Sequence, residues 1–229
     1  MSTKAFLFAV LFINITGLTN AQSTAERPED LKEEKITPAE LKEWKIWGAG
    51  EAFAIGNQLC LKEHDETKGV MLVSPMAYGE HVVLKFKVLA LTAASVVAVV
   101  ISGSDPGPSV SLSIPRDYDG NFNLWYEEKE NYFFAFKNAP HGLTPFVRKN
   151  HGSGEILASA PDNSMVAGLY YDVEVGRSGN KLWLTINNEE AFVAEDIAPL
   201  SGGHVSLRIR GTAGFKGACL VKDLIIYSK

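Results

Sequence analysis

The chain has 229 residues, with 22 Lys and Arg against 27 Asp and Glu, and a net charge of −5. Apolar residues make up 46% and charged residues 21%, the composition of a chain that buries a core, which excludes a disordered or collagen-like protein. The basic residues are scattered among acids and form no stripe that would neutralise a phosphate backbone, so nucleic acid is excluded as a partner.

Lys4 precedes an apolar run from Ala5 to Ile15, and Thr19-Asn20-Ala21 supplies the small residues that a signal peptidase reads. Residues 1–21 are therefore expected to be a secretory signal peptide. No Cys follows the cleavage point, as a lipoprotein would require, and the run is shorter than the ~20 residues of a bilayer span. The expectation is a periplasmic or secreted protein without a membrane span. A second apolar stretch, Val82 to Ile101, contains Lys85 and Lys87 and reads as two strands.

Residues 22–37 read as a polar N-terminal extension, and residues 38–229 as a single domain. Thr37-Pro38-Ala39-Glu40 is a capping box with Pro in the first helical position, predicting a short helix from Pro38 to about Lys45. Beyond Trp47, short runs rich in Val, Ile, Leu, Phe and Tyr recur between turn signals. They predict strands near Phe53 to Ile55, Gln58 to Glu63, Val70 to Ser74, His81 to Ala90, Ser95 to Ser102, Val110 to Ile114 and Asn121 to Tyr126. Further strands are expected near Tyr132 to Asn138, Phe146 to Lys149, Tyr170 to Gly176, Lys181 to Ile186, Glu190 to Glu195, His204 to Arg210 and Ala218 to Tyr227. Asp119-Gly120, Ser178-Gly179-Asn180 and Asn187-Asn188 tolerate positive φ and read as hairpin turns. Many short strands with one brief helix imply an all-β protein of two antiparallel sheets packed face to face.

Trp47-Gly48-Ala49-Gly50-Glu51-Ala52-Phe53, Asn57-Gln58-Leu59, Tyr171-Asp172-Val173-Glu174-Val175 and the closing strand from Gly214 to Ile226 together resemble the concanavalin A-like lectin/glucanase jelly roll. Within it, Asn131 to Asn138 followed by His141 to Asn150 is similar to the YesU-like family. The resemblance covers residues 38–229 and implies a protein that handles sugar, an oligo- or polysaccharide being the expected partner. Since this sandwich hosts lectins, hydrolases, lyases and scaffolds, the chemistry must come from its site.

The most unusual loop composition lies between Lys137 and His151, where Lys137, Asn138, His141, Arg148, Lys149, Asn150 and His151 gather with Pro140 and Pro145. A planar Arg fork beside amide and imidazole groups suits a carboxylated or hydroxyl-rich sugar. In a lyase, Arg148 or Asn138 would neutralise the carboxylate, His141 would take the α-proton and Tyr132 would act as the acid. As a binding module, the protein would use Trp125, Lys137, Asn138 and Asn150 as substrate-binding groups, with Trp125 an aromatic platform on an exposed strand face. For a retaining hydrolase, Asp172-x-Glu174 offers two carboxylates on one strand face, although Arg177 stands where a jelly-roll glucanase has its second Glu. Carbohydrate binding and catalysis in the same groove thus both remain open.

Asp117-x-Asp119-Gly120-Asn121 is oxygen-rich but lacks the remainder of a Ca²⁺ loop and reads as a turn. No His and Cys set has metal spacing, so neither a metal nor another cofactor is expected. Cys60 and Cys219 each fall in a strand and either pair or stay as two separate buried thiols.

Overall fold

The computed structural model describes residues 30–64, 67–151 and 154–229, so the leader read at residues 1–21 lies outside the described residues. The chain forms two antiparallel sheets stacked as a jelly-roll sandwich, as the spacing of strands and turns predicts. The first sheet contains β1 (Lys32–Ile36), β3 (Gly50–Ile55), β4 (Gln58–Glu63), β6 (His81–Ala90), β11 (Tyr170–Ser178), β12 (Lys181–Ile186), β13 (Glu189–Glu195) and β15 (Ala218–Ser228). Its order is β13-β12-β11-β6-β15-β4-β3, with β1 on the far half of β15. The second contains β2 (Lys45–Gly48), β5 (Val70–Tyr78), β7 (Val96–Ser104), β8 (Glu130–Lys137), β9 (Phe146–Asn150), β10 (Glu155–Ser159) and β14 (Gly203–Arg210), ordered β10-β9-β8-β7-β14-β5-β2. No helix among the described residues is long and apolar enough to cross a membrane.

Alternation builds the core. Val173 and Val175 of β11, Leu182 and Leu184 of β12, Val205, Leu207 and Ile209 of β14, and Tyr132, Phe134 and Phe136 of β8 all enter one buried cluster between the sheets. Two-residue turns keep that register. Asn187 and Asn188, at φ 53° and 63°, join Ile186 to its partner Glu189 in the conformation that matches strand twist. At one end α1 (Pro38–Leu41) presents Leu41 to the core, its capping box closed by Glu40 N–H to Thr37 Oγ1 at 3.3 Å and Thr37 N–H to Glu40 Oε2 at 2.8 Å.

Two predicted strands are absent. Val110 to Ile114 has no strand pairing, and Asn121 to Tyr126 is largely helical, forming α2 (Asn123–Glu127). Both belong to the long connection from β7 to β8, which folds back over the outer face of the second sheet. There Ile114 and Trp125 bury a small second core against Met71, Val73 and Val100. Asp119-Gly120 accordingly turns within this connection and closes no hairpin. Its Asp119 carboxylate accepts Asn121 N–H at 2.9 Å and pairs with Lys68 at 2.8 Å, so those oxygens serve the turn.

Candidate functional site

The connection carrying α2 covers only part of the second sheet's outer face. On the uncovered part, side chains that alternate away from the core line a cavity of about 170 Å³, close to the ~150 Å³ of a cavity that accepts a six-membered ring. Arg148 enters it from β9 and Arg208 and Arg210 from β14, beneath Asn138 and His141 of the turn after β8. Val96, Ala98, Phe133 and Phe146 form its apolar floor and walls, and no carboxylate lines it among the described residues. Asn138 precedes a single 3-10 turn, Ala139–His141, and Gly142 at φ 69° lets the chain double back into β9. That reversal is what brings His141 over Arg148.

The cations are held in place by groups that do not neutralise them. Arg208 is 4% exposed; its Nη2 donates to the Lys68 and Gly120 carbonyls, each at 2.9 Å, and its guanidinium lies 5.1 Å from the Phe122 ring. Burial disfavours its charge, an effect partly offset by the nearby Tyr118 hydroxyl. The Arg148 guanidinium sits 5.4 Å from the Tyr126 ring and 5.5 Å from that of Phe146. Three donor atoms on residues that line this cavity are closed to solvent and have no acceptor in hydrogen-bonding geometry among the described residues: Arg148 Nε, Arg208 Nη1 and Asn138 Nδ2. Buried donors are seldom left unpaired, because each forfeits its hydration without return. His141 is exposed at the rim, and burial of its ring, reinforced by the Arg210 charge, holds its pKa below the usual imidazole value of 6.5.

The structure therefore brings together Asn138, His141 and Arg148 and separates the other candidates. Tyr132 points inward, is fully buried, donates to Asp196 Oδ2 at 2.7 Å and accepts Leu200 N–H at 2.9 Å. With no exposed surface it cannot reach a sugar oxygen as an acid. Trp125 lies on a helix and not on an alternating strand, is also fully buried, and packs over Gly103; it offers no platform. Lys137 turns its ammonium onto the Ala93 and Ser95 carbonyls at 3.0 and 2.8 Å. Asn150 donates to Asn131 Oδ1 at 2.8 Å, and Asn131 in turn donates to the Trp125 carbonyl at 2.8 Å. These four side chains hold the fold on which the cavity stands.

Asp172 and Glu174 alternate outward on the first sheet, with the core between them and the cavity. Glu174 accepts Trp183 Nε1–H at 3.0 Å, and Asp172 lies 3.7 Å from Lys87. Arg177 is fully buried and donates to Ser102 Oγ at 2.5 Å and to the Ser201 and Leu200 carbonyls, holding the loop before β14. Arg208 and Arg210 were absent from the sequence-based site, though a signal existed. In His204-Val205-Ser206-Leu207-Arg208-Ile209-Arg210 the period of two puts both cations on the face opposite Val205, Leu207 and Ile209.

A Bacillus subtilis protein of unknown function with a galectin-like fold superposes with a TM-score of 0.67 at 13% identity, covering 86% of this chain and 98% of its own. The carbohydrate recognition domain of Emp46p, in its metal-free form, gives a TM-score of 0.57 at 11% identity over 82% of this chain and 89% of its own. Carbohydrate-binding module CBM66 from Bacillus subtilis gives 0.53 at 10%, covering 80% and 94%. The fold is the concanavalin A-like jelly roll. No family model matches the chain, and no curated protein matches it in sequence. At such identities the likeness is one of architecture alone, and the chemistry rests on the residues described above.

Proposed function

We propose that the protein binds an anionic saccharide, with a sugar carboxylate seated against Arg148 and Arg208 in the 170 Å³ cavity, and that it serves polysaccharide capture or degradation outside the cytoplasm. The observation that carries this reading is the set of hydrogen-bond donors on Arg148, Arg208, Arg210 and Asn138 around one cavity that no carboxylate lines among the described residues. A carboxylate accepts several such bonds at once, and charge-assisted ones are the strongest available. The apolar walls suit the C–H face of a sugar ring, and the fixed guanidinium groups need little ordering on binding. The carbohydrate-binding neighbours and the leader read at residues 1–21 agree with an extracytoplasmic role.

A second reading, a lyase acting on uronate-containing chains in the same groove, is favoured by His141. Its ring is held neutral beside three arginines that would stabilise the carboxylate of a substrate whose α-proton it removes. The hydrolase reading loses its carboxylate pair, because Asp172 and Glu174 lie on the other sheet.

The test is calorimetric titration against pectate and alginate fragments, sulfated galactan fragments and neutral glucans, with new unsaturated ends followed in parallel. Binding to uronate fragments, weakened about tenfold or more in Arg148→Ala, supports the proposal. Equal binding to the neutral glucans would overturn it, and preference for the sulfated fragments would reassign the anionic group to a sulfate ester. Unsaturated product that disappears in His141→Ala establishes the second reading.

A further inference from the structure

The cavity of Arg148 and Arg208 has a neighbour on the far side of His141. His141 and Arg210 also line a second, larger cavity of about 370 Å³, bounded by Glu63 and by the loop between β14 and β15. The two cavities adjoin at that pair of residues, each of which lines both.

The wall of the second chamber is an ordered structure. Glu63 is 6% exposed, and its Oε2 accepts the N–H groups of Gly211 at 2.5 Å and Gly217 at 2.6 Å, while its own N–H donates to the Gly217 carbonyl at 3.0 Å. The loop is thereby tied at both ends to one buried carboxylate. A Cβ on Gly211 would lie 1.8 Å from the Phe215 carbonyl oxygen, so the neck closes at a separation only glycine permits. Toward the tip, Thr212 Oγ1 donates to the Ala94 carbonyl at 3.1 Å and Phe215 N–H donates to the Thr212 carbonyl at 3.0 Å. This tied loop presents Phe215 at the groove with 70% of its surface exposed. An exposed aromatic ring on a restrained loop is an apolar surface available without an ordering cost.

We propose that the two cavities are chambers of one groove that takes two consecutive units of an anionic sugar chain. The carboxylated unit occupies the chamber of Arg148 and Arg208, and its neighbour lies in the second chamber with its C–H face on Phe215. Resting on the anionic-saccharide reading, the inference adds a second subsite, a minimum ligand length of two units, and a platform residue on the far side of His141.

Titration of the whole protein with galacturonate, digalacturonate and trigalacturonate, and with the matching mannuronate series, tests it. The expected result is a gain of about tenfold or more from one unit to two and little further gain for the third. Phe215→Ala should remove that gain while leaving the affinity for the single unit unchanged, and Phe215→Trp should retain it. Arg148→Ala should weaken single unit and dimer alike. A dimer that binds no better than the single unit, or a gain that survives in Phe215→Ala, overturns the second subsite while the anionic reading stands. Failure of every uronate to bind, or binding indifferent to Arg148→Ala, overturns the anionic reading and the subsite with it.

Discussion

Tyr132 and Asp196 meet across the sandwich at 2.7 Å, and the same carboxylate oxygen holds Lys149 at 2.8 Å. Burial would push the Asp196 pKa up, but Lys149, Tyr132 and the Ala198 N–H together hold it below the usual value of 3.8. A carboxylate whose folded pKa is depressed binds protons less readily than in the unfolded chain. It therefore contributes stability above its unfolded pKa, and that contribution disappears as pH falls through the folded value. Urea unfolding of wild type and Asp196→Asn should show wild type the more stable at neutral pH, with the gap closing as pH drops below the ordinary carboxylate range. Parallel profiles at all pH values would refute this assignment. Tyr132→Phe should cost about 1–3 kcal/mol by stranding the carboxylate and the Leu200 N–H, and it should leave saccharide affinity unchanged because the ring never reaches the groove.

Three glycines set the position of the connection that covers the second sheet. A Cβ on Gly120, which has φ 86°, would lie 1.8 Å from the Gly69 carbonyl oxygen, and one on Gly48 would lie 2.2 Å from that same oxygen. Gly120 also supplies a carbonyl to Arg208. Gly120→Ala should therefore destabilise by about 3 kcal/mol or more, lowering the melting temperature by roughly 6–12 °C. Because the clash lies beside the Arg208 guanidinium, uronate affinity should fall as well. A variant that melts within about 2 °C of wild type would contradict this close packing.

How far the sequence reveals this molecule depends on how local the determining contacts are. Alternation in β11 and β12 and the Asn187-Asn188 turn are encoded within a few residues of one another and predicted the elements observed; the Thr37 capping box predicted where α1 starts, but the helix ends at Leu41 and Lys45 already belongs to β2. β1, β2 and β10 pass unnoticed because none of their residues is buried: they are held by backbone pairing to β15, β5 and β9 and need no apolar alternation. Asn121 to Tyr126 misleads because a short aromatic run is compatible with strand or helix, and the N-cap position is held by Phe122, the first helical N–H donating instead to Asn121 Oδ1 at 3.2 Å. Asn138, His141 and Arg148 meet through a single chain reversal and were legible together. Arg208 and Arg210 join them through the pairing of β7 with β8 and β14, a contact between distant segments that no local pattern announces.

The thiols give a separate check on register. β15 pairs with β4 so that Cys219 faces Leu61 and Leu220 faces Cys60. The two cysteines are one residue out of step, and alternation sends their sulfurs to opposite sides of the sheet. Both are free and buried, and burial pushes the Cys219 thiol to about 12 and raises that of Cys60. A thiol reagent in mildly alkaline buffer should leave the native protein essentially unlabelled and label both cysteines once it is unfolded, since the thiolate is the reactive form. Reductant should not shift the melting temperature. A reductant-sensitive transition would show that the strands pair in a different register.

His141 is where binding and turnover separate by sign. Its ring faces Arg210, with Arg148 and Arg208 in the first chamber and the Glu63 carboxylate in the second, and its pKa lies below 6.5 because burial and Arg210 both disfavour the imidazolium. Seating a carboxylate beside the ring reverses part of that penalty, so binding takes up a proton. Affinity for digalacturonate should rise as pH falls from about 7 to about 5.5, where the uronate itself stays ionised. His141→Gln should flatten the profile without abolishing binding. A lyase base must instead be unprotonated, so any turnover should hold through neutral pH and fall over the same interval in which binding tightens. Affinity that is independent of pH in the wild type would remove His141 from the ligand's surroundings, and with it the basis for either role.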